Sequence, residues 1–166
     1  EHIPADLKMD RSAIIQQVFG QIAMANVSLS AAEAVDKKFL RITDKIVMNK
    51  DEVIYKAKQM ALGMYIAGYE QPKPMNNMIL PGPAGFATLQ AGLYNFVSGG
   101  MITEHEHKIA TKLAYVLTGG DCEPNSNVSE ERLLELEKEA FMSLVGEQKS
   151  IERMQSLLTT GKPLRN

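Results

Sequence analysis

The sequence has no tryptophan, one cysteine and no surplus of either charge, 18 Lys and Arg standing against 20 Asp and Glu in 166 residues. Each scarcity excludes something. A lone thiol, Cys122, rules out an intramolecular disulfide framework and a multi-cysteine zinc site, and it fits a reducing compartment, so a cytoplasmic location is expected. Interleaved, nearly balanced charge carries no electrostatic footprint for nucleic acid or an anionic membrane surface. No apolar run approaches the roughly 20 residues that span a bilayer, so no integral membrane segment is expected. Residues Glu1-His2-Ile3-Pro4 resemble neither a signal nor a transit peptide, and the absent initiator methionine suits excision from a longer polypeptide.

What the chain does have is helical periodicity. Ile14, Ile15, Val18, Phe19 and Ile22 share one face of a helix over 10–25. Ser30 and Glu33 have the spacing of a capping box before a short helix to Lys38. The β-branched stretch Leu40 to Val47 predicts the chain's one short strand. Asn49 caps a further helix, with Val53, Ala57, Met60, Ala61 and Met64 as its buried stripe. Four prolines between Tyr69 and Gly85 read as a linker. Beyond it, Phe86, Leu89, Leu93, Phe96 and Val97 mark a helix that Gly99-Gly100 stops. Thr103 and Glu106 form a second capping box for a helix with the stripe Ile109, Leu113, Val116 and Leu117, which Gly119-Gly120 closes. Asp121 to Val128 is a polar loop, Ser129 caps a helix over 130–145, and Ile151, Met154, Leu157 and Leu158 define the last helix. The expected architecture is all-α: six or seven helices with at most one very short strand. Its expected divisions are a helical subregion 1–68, the proline-rich linker 69–85 and a C-terminal helical subregion 86–166.

None of the candidate chemistry outweighs a structural reading. His105 and His107 are two positions apart and point about 200° apart on a helix, so one metal ion does not easily take both, and helix-capping on a solvated surface is expected instead. Gly82-Pro83-Ala84-Gly85 lacks the preceding strand, third glycine and later acid of a dinucleotide fingerprint. Glu130, Glu131, Glu135, Glu137 and Glu139 mostly lie opposite the Leu133, Leu136, Ala140 and Leu144 face and read as solvated surface. Cys122 sits between Asp121 and Glu123, surroundings that disfavour a thiolate nucleophile. Met75 and Met78, beside the prolines, are the methionines most open to a binding role. No catalytic and no metal-binding residue is assigned.

Two segments carry a resemblance. Asn26 to Ala34, followed by Phe39-Leu40, resembles the stretch of the enoyl-CoA hydratase (crotonase) family that follows its catalytic acids, with Lys38-Phe39 where that family has a glycine. Glu137 to Gly146, Ser150 to Met154 and the ending Thr160-Gly161-Lys162-Pro163-Leu164-Arg165-Asn166, together with Thr118-Gly119-Gly120-Asp121, look like the C-terminus of bacterial multifunctional fatty-acid oxidation proteins. In that group a 3-hydroxyacyl-CoA dehydrogenase unit and a hydratase-like unit share one chain. The resemblance implies a parent that uses NAD and acyl-CoA, with its dinucleotide fingerprint, its oxyanion hole and its catalytic glutamates upstream of Glu1. The fragment, inactive alone, would pack against those upstream dehydrogenase and hydratase regions, help build a homo-oligomer and wall part of the acyl-CoA pocket. Lys162 and Arg165 would then reach a CoA phosphate. The rival expectation is a free-standing helical module that binds a partner protein.

Overall fold

The computed structural model of the protein describes residues 11–166; the readings of residues 1–4 and of residue 10 as a helix start fall outside that range. The all-α expectation holds among the described residues. In chain order the elements are α1 (Arg11–Ala23), α2 (Ala31–Asp36), α3 (Val53–Ile66), β1 (Met78–Leu80), α4 (Gly82–Ser98), α5 (Glu104–Leu117), β2 (Ser126–Val128), α6 (Glu130–Val145) and α7 (Gln148–Thr160). The chain forms two compact units, one of Glu1–Ala25 with Pro74–Asn166 and one of Asn26–Lys73.

In the larger unit α5 is central and packs against α1, α4 and α6. Leu89 and Leu93 of α4, Ala110 and Ala114 of α5, Val128 and Leu136 form its buried apolar core. The periodicity of α5 favoured Ile109, Leu113, Val116 and Leu117, yet these are only half-buried. The buried line is instead His105, Ala110 and Ala114, continued by the fully buried Thr118. Small side chains along that line let neighbouring backbones come close, a packing preference that a hydrophobicity count cannot register.

The strands correct the expected position. Residues 40–47 hold no strand; a turn closes there, with the Arg41 amide donating to Asp44 Oδ2 at 2.9 Å. The antiparallel pair comes from within the expected linker and the expected loop, with Met78 opposite Val128 and Leu80 opposite Ser126. Glu130 fastens it, its amide donating to the Met75 carbonyl at 2.7 Å and its carboxylate accepting from the Met75 amide at 3.2 Å. Met75 and Met78 are therefore half-buried. Met48, at 94% exposed, is far more open.

Where β1 meets α4, the chain crosses the end of α5. The Gly82 amide donates to the Thr118 carbonyl at 2.9 Å. Gly82 has φ +59°, and a Cβ there would lie 2.5 Å from the Cys122 carbonyl oxygen. Both facts require glycine.

The smaller unit has a different character. Ser30 caps α2, its hydroxyl accepting from the Glu33 amide at 3.1 Å, but the Glu33 carboxylate accepts from the Leu29 amide at 2.7 Å instead of closing the expected box on Ser30. Ala34 is the unit's one buried apolar residue. The expected buried stripe of α3 is exposed: the helix has no buried residue, and Val53, Met60 and Met64 are all open to solvent.

Replacing Gly82 by Ala is expected to cost on the order of 2 kcal/mol or more, because strain and overlap add. Gly92→Ala, in a helical position with open space around it, is expected to stabilise by about 0.5–1 kcal/mol. Urea unfolding of the two variants checks both signs.

Candidate functional site

The densest set of interacting polar side chains built by the described residues gathers at the first turn of α5. Thr103 and Glu106 form the expected capping box: the Thr103 hydroxyl accepts from the Glu106 amide at 3.1 Å, and the Glu106 carboxylate accepts from the Thr103 amide at 2.9 Å. The same carboxylate takes both arms of Arg165, Nε to Oε1 and Nη2 to Oε2, each at 2.9 Å. Arg153 Nη2 lies 3.6 Å from Oε1. The Arg165 hydrogen bond, the Thr103 amide and the two cations hold the Glu106 pKa down to about 2, against the opposing effect of partial burial.

Asn166 completes the tie. Its side-chain oxygen accepts from Arg153 Nε at 2.8 Å, and its amide nitrogen donates to the Lys149 carbonyl and to Glu152. The expected helix end at Gly161 is present, in left-handed geometry. The tail after it returns to α5 and to α7: Arg165 also donates to the Met101 carbonyl at 2.9 Å.

His105, next to Glu106, corrects the solvated-surface reading, since it is only 4% exposed. Its Nε2 is 3.0 Å from the Ser150 hydroxyl. Its Nδ1 is 3.8 Å from Glu147, whose carboxylate is held by Lys108 at 2.5 Å. Burial lowers the His105 pKa, Arg153 adds to the effect, and Glu147 opposes it. Ser150, His105 and Glu147 stand in the order of an acyl-transfer triad, but 3.8 Å is beyond hydrogen-bond reach and the imidazole is closed off from solvent. The arrangement joins helices; it does not activate a nucleophile. Among the described residues no three His, Cys, Asp or Glu side chains gather as a metal site.

The residues assigned to cofactor contact fare differently. The Arg165 guanidinium is spent on Glu106, whereas Lys162 has its backbone engaged, its amide donating to Thr160 and its carbonyl accepting from Ser156. Gly82 to Gly85 does follow a strand, contrary to expectation, but it does not fit a dinucleotide. The Gly82 amide is already used by Thr118, and Gly85 packs directly on the Pro81 ring. Ser150, Glu147, Arg153 and Asn166 were not singled out from the sequence. The ending Arg165-Asn166 carries the available signal, of which only Arg165, with Lys162, is assigned a ligand contact from the sequence.

Glu106 gives this cluster a pH signature. With its pKa lowered from 4.5 to about 2, its contribution is complete above pH 4.5 and is lost as pH falls from there toward 2. Thermal melts across that range are expected to show the loss, and Glu106→Gln is expected to flatten it. At neutral pH Glu106→Ala is expected to cost on the order of 2 kcal/mol, from the cap and the charged hydrogen bonds together.

The smaller unit presents a second candidate, an apolar surface. Ile54, Tyr65 and Ile66 of α3 are each more than 80% exposed. Ile54 and Tyr65 are about three helical turns apart and so share a face. Exposed large apolar side chains grouped on one helix are the kind of surface that interaction sites use. No helix among the described residues is long and apolar enough to cross a membrane.

No family model and no solved structure matches the chain. A curated protein does: the chain is 47% identical over 150 residues to a protein of Bacillus subtilis (strain 168) named probable 3-hydroxyacyl-CoA dehydrogenase. The match takes in 90% of this chain and 19% of that protein, so the chain spans about a fifth of the length of this relative.

Proposed function

We propose that the chain is the C-terminal helical part of a fatty-acid β-oxidation polypeptide, which oxidises 3-hydroxyacyl-CoA with NAD and carries an enoyl-CoA hydratase-like unit. The likeness to a dehydrogenase of which the chain spans only a small share carries this reading. The chemistry then lies in the remainder of the polypeptide, and these residues serve its assembly and wall part of the acyl-CoA pocket. The exposed face of α3 supports the assembly role: an apolar helix with no buried residue becomes an ordinary core helix once another region packs on it. A CoA phosphate at the tail falls to Lys162, because Arg165 is already neutralised by Glu106.

The test compares NAD reduction on a 3-hydroxyacyl-CoA by the 166-residue chain and by a polypeptide of the relative's length that contains it. Turnover is expected from the second alone. In that longer polypeptide, Ile54→Glu combined with Tyr65→Glu is expected to lower the yield of folded, active protein at least severalfold. Lys162→Ala is expected to weaken acyl-CoA binding, and Arg165→Ala to act through thermal stability. A long polypeptide indifferent to both α3 charges, together with tight capture of a separate protein by the short chain, would put the free-standing interaction module in its place.

A further inference from the structure

The helices of the larger unit are not held alike. The α4, α5 and α6 helices each bury apolar side chains, whereas α7 has no buried residue. Its described ties to the first turn of α5 are polar: Ser150 on His105, Glu147 on Lys108 and close to His105, and Arg153 on Glu106. The tail adds Arg165 on Glu106. The α7 helix also adjoins α6, but its ties to α5 through titratable groups hold only in the protonation states those groups require.

We propose that α7 is a proton-gated clasp on α5, with the buried His105 as its sensor: a proton gained there frees the first turns of α7, while the Glu106–Arg165 pair keeps the tail in place. The inference is independent of the dehydrogenase reading. The charged groups facing the imidazole are Lys108 on its own helix, Glu147 at the cap of α7, and Lys149 and Arg153 from α7. Three are cations. The one carboxylate among them is already paired with Lys108, so it offers an imidazolium little compensation. A proton on a side chain only 4% exposed is better hydrated once α7 has moved away.

The two ties respond over different pH ranges. His105 titrates below its ordinary 6.5 in the closed clasp, so its tie is at full strength above pH 6.5 and weakens as pH falls below that value. Glu106 stays ionised until the pH falls well below 4.5. Between those limits only the histidine tie changes.

Hydrogen exchange of the chain at pH 7.5 and 5.5, corrected for intrinsic rates, tests this. Protection over residues 147–154 is expected to fall by up to about tenfold per pH unit below 6.5, the most that one proton can produce, with residues 110–117 unchanged. His105→Gln, neutral at both pH values, is expected to abolish the difference, and Ser150→Ala to lower protection at both. Should His105→Gln fail to fold, an NMR titration of the His105 ring in the unaltered chain decides: a midpoint below 6.5 that tracks exchange over 147–154 supports the clasp. Equal protection at the two pH values, a fall that persists in His105→Gln, or a ring that titrates without any change over 147–154 overturns it.

Discussion

The Glu106 carboxylate carries three loads that would otherwise need three residues. It closes the capping box that starts α5, it neutralises the Arg165 guanidinium through two bonds, and it faces Arg153 of α7. The position of α5 in turn governs the larger unit, since α1, α4 and α6 all pack against it. One end of that helix is set by Glu106. The other is set by Thr118, whose hydroxyl bonds back to the Ala114 carbonyl and whose own carbonyl receives the Gly82 amide. The turn into α4 is thereby joined to the last turn of α5, and Glu130 links the approach to β1 with the start of α6. Capping and tail docking thus meet at one end of α5, and the turn into α4 meets the other.

Much of this was legible from the residues. Helix ends were the clearest, because they depend on local chemistry: Ser129 accepts from the Arg132 amide at the start of α6, Thr103 and Glu106 close their box, and glycines follow α4, α5, α6 and α7 where the periodicity stops. The strands were not legible, since three residues on each side carry no usable period and the pairing joins positions some fifty residues apart. His105 was misread because a histidine among glutamates looks like solvated surface. Its burial depends on α7 and on a serine 45 positions away. The partners of the tail were not legible for a related reason: an Arg-Asn ending gives no local sign that they are Glu106 and Arg153.

The stripe on α3 failed in a more informative way. Val53, Met60 and Met64 have the spacing of a core face, and the helix forms where expected, yet all three remain exposed. The expected burial is therefore not met within the elements of its own unit. That exposure supports reading the chain as one share of a larger assembly. A self-sufficient helical module places such a stripe in its own core, as the larger unit does with Leu89 and Leu93.

The same comparison bears on how the order of α3 is sustained. A 14-residue helix is marginal in water on propensity alone, and most helical stability in proteins comes from packing an apolar face. The larger unit supplies that packing for α4 and α5, which surround buried leucines and alanines. In the smaller unit, local bonds hold α2: Lys37 reaches Asn26, the Val27 carbonyl and Glu33. The α3 helix has Asn49 at the turn before it, whose side chain accepts from the Asp51 amide, and an exposed apolar surface beyond. Even a cap on the helix itself would contribute only about 1 kcal/mol, too little to hold nearly four turns against the entropy of the chain. Ile54 and Tyr65 contribute no burial to that balance. In the polypeptide proposed above, burial of this face by another region would supply the packing that the smaller unit lacks.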